Sequence, residues 1–296
     1  MFGNNSQLKG AYMNIQYSKY ILSLLLFGSN GIVASYIIAS STGIVYLRTL
    51  LGSLFLLAIF FFTRQKITLL HVKKDFLLLV LSGIAMGASW IFLFEAYLKI
   101  GVSLATVTYY IGPALVMIFS PFLFKEKMTV TKLLGFTIVV VGMVLVNAQT
   151  IFSGALSYGL MLGLGSAIMY FLMVVLNKKA ASIQGLQNAS FQLSFSFLTV
   201  FIYFCLSTSS LFPIIENGWF AVIFLGIVNT GIGCYFYFSS IGQLPVQSVS
   251  ILGYLDPLFA LLLATIFLNE VLTMLQWTGV VCILGGVALG ELWRKT

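Results

Sequence analysis

Residues 110–126 read YIGPALVMIFSPFLFKE, and residues 254–270 read YLDPLFALLLATIFLNE. The leading Tyr, the Pro and the final Glu coincide, and one offset, 254 minus 110 or 144 residues, maps each pair. Working outward, Thr129, Gly135 and Gly142 return as Thr273, Gly279 and Gly286. On the N-terminal side Gly87, Phe92, Phe94 and Val102 return as Gly231, Phe236, Phe238 and Val246. Register held over so long a stretch without an insertion indicates a duplicated unit.

Charged residues form 7% of the chain and hydrophobic ones 60%, a balance that a soluble surface does not have. The chain reads as an integral membrane protein. A bilayer core takes roughly 20 apolar residues per helix. Ten such runs stand at about 20–40, 44–63, 76–97, 102–123, 131–148, 154–176, 187–207, 218–240, 246–268 and 274–292. The expected fold is therefore all-α, with ten transmembrane helices. Residues 1–16 form a loose cytoplasmic tail, 17–148 a first five-helix repeat, and 149–296 a second. An odd number of spans per repeat forces the second copy to insert inverted relative to the first. Such pairs supply two related conformations, each open to one side of the membrane. Transport follows from that symmetry more directly than a static role.

The net charge of +8 sorts by loop. Lys9, Lys19, Arg64, Lys66, Lys73, Lys74, Lys125, Lys127, Lys132, Lys178, Lys179, Arg294 and Lys295 fall on one side, and Lys99 alone on the other. This is the positive-inside pattern of a multi-pass protein of the inner or plasma membrane with both termini cytoplasmic. The basic excess reports topology and calls for no nucleic-acid partner. Cys205, Cys234 and Cys282 lie in spans without metal-ligand spacing, and the one histidine, His71, lies in a basic loop. There is no P-loop, HExxH or GxSxG. The chain is therefore expected to be no enzyme, with no catalytic residue, metal or cofactor, and to draw its work from a gradient.

The pattern of Phe27, Gly28, Ser29 and Asn30 in the first span, Arg48 early in the second, and the paired Pro113 to Glu126 and Pro257 to Glu270 segments resembles the EamA-like members of the drug/metabolite transporter superfamily. The resemblance covers essentially the whole chain. It implies a secondary transporter of two five-helix repeats, often exporting amino acids or other small metabolites, with a central cavity lined mainly by spans 1, 3, 4, 6, 8 and 9.

Among candidate residues, Asp256 stands out, because a carboxylate near the middle of span 9 is costly in hydrocarbon. Its repeat partner is Gly112, so the Pro corner does not itself require an acid. Pro257 removes a helix hydrogen bond and frees the carbonyl of Gly253, and Pro113 kinks the matching helix. A carboxylate beside a free carbonyl suits a cationic group or a coupling proton. The alternative is an Asp that only stabilises the kink. Arg48 and Glu95 lie at matched depth, so they read as a salt bridge, as an outer gate, or as a binding group for a zwitterion, with Lys99 competing for Glu95. Trp90, Tyr110 and Tyr254 read as pocket walls or as packing, as do Phe94, Tyr97, Tyr109, Tyr235 and Tyr237. Asn30 and Asn229 can bond across helices or to a substrate. Glu126 and Glu270 each precede a capping Thr by three residues and read as turn stabilisers.

The expected partners are thus a small-molecule substrate, the lipid bilayer and a candidate coupling proton. The expected activity is secondary active or facilitative transport of a small polar metabolite by alternating access, an amino acid or amine for preference, with export favoured. A lipid flippase or a channel is the alternative.

Overall fold

The computed structural model describes residues 2–65, 72–148, 158–208, 211–267 and 272–292. Glu270 and His71 lie outside them. The first helix, α1 (Phe2–Gly28), runs through the segment expected to be a loose tail, so residues 2–16 are helical and continuous with residues 17–28. Met13 and Tyr17 anchor this extension against the core, and Gln16 is buried within it. After a break at Ser29 the chain continues as α2 (Asn30–Ser35), β1 (Ile38–Ala39), α3 (Ser41–Phe62) and α4 (Lys73–Tyr109). Next come α5 (Ile111–Phe124), α6 (Val130–Val146), α7 (Tyr158–Lys179) and α8 (Gly185–Ser207). The last third comprises β2 (Ile215–Asn217), α9 (Trp219–Phe224), a π-helical stretch Leu225–Ile232, α10 (Gly233–Ile241), α11 (Val246–Gly253), α12 (Leu255–Phe267) and α13 (Met274–Leu292).

Among the described residues, eight helical stretches are long and apolar enough to cross a bilayer. Of the other two expected spans, α6 is apolar but has only 17 residues. The first span, expected at about 20–40, is broken at Ser29, and the α1 that holds its first half also carries Gln16, Ser18, Lys19 and Ser23, which dilute that helix's hydropathy. The expected third and fourth spans share the long α4, interrupted at Gly101, whose φ of 77° lies in the left-handed region that glycine adopts without a Cβ clash. Ser40 and Thr129 cap the helices that follow them, accepting from the amides of Gly43 and Lys132.

With little hydrophobic drive between helices inside a membrane, contact comes from small residues and buried polar groups. Both are present. α6 packs along α13 through four repeat-matched glycines. A Cβ on Gly135 would meet the carbonyl oxygen of Gly286 at 2.7 Å, and one on Gly142 that of Gly279 at 2.7 Å. Since Gly279 is the repeat of Gly135 and Gly286 that of Gly142, each helix meets the other's copy of its second contact point. That reciprocity is what a two-fold axis between the helices produces. Elsewhere Ser89 and Ser166 join α4 to α7. Asn177, Asn188, Gln192 and Ser82 tie α7, α8 and α4 into one buried network.

Candidate functional site

The two repeated corners meet at the centre. α4 gives way to α5 at Tyr110 (φ −72°, ψ 0°), and α11 to α12 at Tyr254 (φ −74°, ψ −5°). Pro113 and Pro257 each stand third in the helix that follows, where a missing N–H costs little. The prolines thus mark full breaks between half-helices rather than simple kinks. The Tyr254 hydroxyl donates to the Tyr110 carbonyl at 3.0 Å, and Ser250 donates to the Pro113 carbonyl at 2.5 Å.

The Asp256 carboxylate lies in the first turn of α12, where the positive end of the helix dipole favours it. The Tyr110 hydroxyl faces it as a hydrogen-bonding neighbour. Arg48, Tyr20, Tyr97, Tyr109 and Tyr170 surround it within electrostatic range. Asp256, Tyr97 and Tyr109 lie deep among protein atoms yet are only half-buried as surfaces, so they border a space, the chamber, where the two corners meet. Their supports form a chain of ring contacts. Tyr110 stands 5.2 Å from Tyr109, and Tyr109 5.3 Å from Tyr170, while the Tyr170 and Tyr237 hydroxyls are 3.2 Å apart and Tyr237 lies 5.4 Å from Tyr20. Tyr20 and Tyr170, which periodicity did not single out, belong to this wall. They lie in otherwise ordinary apolar helices, and only packing brings them to Asp256.

Arg48 is 7% exposed. Its Nε donates to Thr230 Oγ1 at 3.0 Å, and its guanidinium lies 4.9 Å above the Trp90 ring. The Nη groups meet no acceptor among the described residues. The expected Arg48–Glu95 pair is therefore corrected: Glu95 accepts from the Tyr203 hydroxyl at 2.8 Å on α8, while Arg48 points from α3 into the π-helical stretch. Matched depth placed the two residues at one level, but α3 and α4 turn those faces to different neighbours. Arg48 instead shares the chamber of Asp256, to which it is coupled electrostatically without a salt bridge.

The π-helical stretch makes this possible. Its wide turns let Thr230 return its hydroxyl to the Leu225 carbonyl at 2.8 Å while accepting from Arg48. One residue earlier, buried Asn229 donates toward the Leu26 carbonyl, Ser29 Oγ and Asn30 Oδ1 at 2.8–3.1 Å, so Asn30 is engaged across helices at the break in the first span. At the same break Gly28 has no room for a Cβ, which would stand 2.9 Å from the Asp256 carbonyl oxygen. Tyr254, expected as a pocket wall, is 2% exposed and spends its hydroxyl on the Tyr110 backbone.

The EamA-like transporter family model matches residues 16–148 and again residues 157–290. Two relatives from Bacillus subtilis strain 168 are known as uncharacterized transporters. YxxF is 28% identical over 92% of this chain and 88% of its own length, and YetK is 27% identical over 97% and 88%. A protein crystal structure at 19% identity superposes with a TM-score of 0.77 over 97% of this chain and 99% of that one, a likeness of fold alone. Two consecutive matches, dividing the chain where its internal repeat divides it, place this protein in the EamA-like transporter family.

Proposed function

We propose that this membrane transporter is a secondary active or facilitative carrier whose substrate is a small zwitterion or amine, an amino acid for preference, with export favoured. The observation that carries this reading is the pair of opposite charges within electrostatic range, Asp256 and Arg48, each with bonding capacity left over and not joined to each other. An unpaired buried charge is expensive, so a ligand that completes both is held strongly. An ammonium meets Asp256 and the faces of the surrounding tyrosines, and a carboxylate meets the free edge of Arg48. With no substrate bound, a proton at Asp256 satisfies the acid, which makes it the coupling group.

Alternating access of two inverted five-helix repeats supplies the movement. Ten spans with both termini cytoplasmic, divided as 17–148 and 149–296, suit this reading. Its support is the reciprocal contact of Gly135 with Gly286 and Gly142 with Gly279, and the one-sided distribution of Lys and Arg.

The test is thermal stabilisation of detergent-purified protein by matched ligands, since a ligand that binds the folded state raises Tm. The panel compares an amino acid with its amide, which lacks the carboxylate, and its N-acetyl derivative, which lacks the ammonium. Asp256→Asn is expected to abolish the response to the amide, and Arg48→Met the response to the N-acetyl form. A panel of amines and amino acids that leaves Tm unmoved overturns the substrate assignment.

A further inference from the structure

The tight turn between α10 and α11 lies at the end of the bundle that carries Lys125, Lys127, Lys178 and Lys179. Two charged side chains from outside the α10–α11 hairpin grip it. Lys178, in the last turn of α7, donates to the carbonyls of Ile241 at 2.8 Å and Gly242 at 3.4 Å, and to that of Leu244. The first two are carbonyls that the end of α10 leaves without helical partners, and the third belongs to the turn itself. Glu126, just beyond α5, accepts from the amides of Val246 at 2.7 Å and Gln247 at 3.1 Å, the first two donors of α11. An ammonium at a helix C-terminus and a carboxylate at the next helix's N-terminus both complement the dipoles they meet. The two charges also attract each other. Glu126 was expected to steady its own turn. Thr129 performs that task, and the Glu126 carboxylate crosses from the first repeat to the second.

The gripped turn leads directly to the site. α11 has eight residues between Glu126 and the break at Tyr254, a rigid arm of roughly 12 Å at 1.5 Å per residue. Ile241, Leu244, Val246, Gln247 and Ser248 are all buried at 1% exposure or less, so the protein is closely packed at this end of α11. Opening the chamber on this side requires α11 to leave Glu126.

We infer that Glu126 and Lys178 form a latch that holds the basic end of the chamber shut, and that releasing the α10–α11 turn from both charges opens the substrate site toward that side. The inference rests on the alternating-access reading, but its test needs no substrate. Ser248→Cys, on α11 beneath the latch, is placed in a background in which the three native cysteines are replaced. Labelling by a membrane-impermeant maleimide is then followed in inside-out and right-side-out vesicles, alongside Tm. With the positive-inside orientation, Glu126→Gln and Lys178→Met are expected to speed labelling in inside-out vesicles about tenfold, the factor carried by losing one hydrogen bond to a charged group. A rise in either variant supports the latch whatever the ligand panel shows. A lowered Tm with the parent labelling rate in both variants would make these residues simple helix caps and overturn the proposal.

Discussion

The Tyr110 and Tyr254 corners have nearly the same backbone and opposite chemistry. Both break a helix at a Tyr with ψ near zero, and both place Pro third in the next helix. At the residue between, a Cβ on Gly112 would meet the Tyr170 ring at 2.7 Å and the Ala167 carbonyl oxygen at 3.0 Å, so that position is filled by α7. The equivalent position carries Asp256, whose backbone is approached by Gly28 while its side chain faces the chamber. Strict symmetry would have each Tyr bond the other's carbonyl. Tyr254 does so, and Tyr110 turns to Asp256 instead. Duplication kept the helix break, and the charge that breaks the symmetry is what singles out one corner for the proposed binding role.

The comparison is broken most severely by Asp256→Gly, which makes the two corners alike. Affinity for an ammonium-bearing ligand is expected to fall on the order of 100-fold or more, as for loss of one partner of a buried charged pair, with the fold retained. Calorimetric binding checks it. Arg48→Met is expected to reduce affinity for carboxylate-bearing ligands about tenfold or more while sparing amines, because a charged hydrogen bond is lost from one end of the substrate only. The reverse experiment, Gly112→Ala, puts a side chain where Tyr170 already stands. It is expected to cost about 1–3 kcal/mol of stability through overpacking, measured as a lower Tm with ligand affinity little changed. The smallest effects separate the two tyrosines. Tyr254→Phe removes one neutral hydrogen bond, about 1 kcal/mol of stability, whereas Tyr110→Phe is expected to leave Tm nearly unchanged and to weaken ligand binding. If both variants alter stability and neither alters binding, the corners are chemically equivalent and the asymmetry argued above fails.

The repeat was legible because its landmark residues have backbone reasons to persist. Gly135, Gly142, Gly279 and Gly286 permit helix contact, and Pro113 and Pro257 break helices. Asp256 was legible because a lone acid in an apolar run is conspicuous in one dimension. Arg48 was equally conspicuous, but its partner was misassigned. Depth along a helix can be counted from sequence, whereas the direction a side chain faces depends on how its helix is rotated and packed. The same limit hid Tyr20 and Tyr170, which resemble many other aromatic residues here until α1 and α7 are placed beside α12. It also hid the reach of Glu126, whose nearest cap in sequence is not its cap in space.

The sequence by itself determined that this is a multi-pass helical membrane protein built from a duplicated unit, because apolar length, charge distribution and recurrence are properties of the chain in order. Tertiary structure decided that Arg48 lies within electrostatic range of Asp256 and not beside Glu95, that Tyr110 faces Asp256 while Tyr254 bonds the Tyr110 backbone, and that Glu126 grips the opposite repeat. Each of these depends on which helix faces turn toward one another. In a membrane that choice is made by close glycine contacts and buried polar bonds between segments far apart in sequence, which no local pattern encodes.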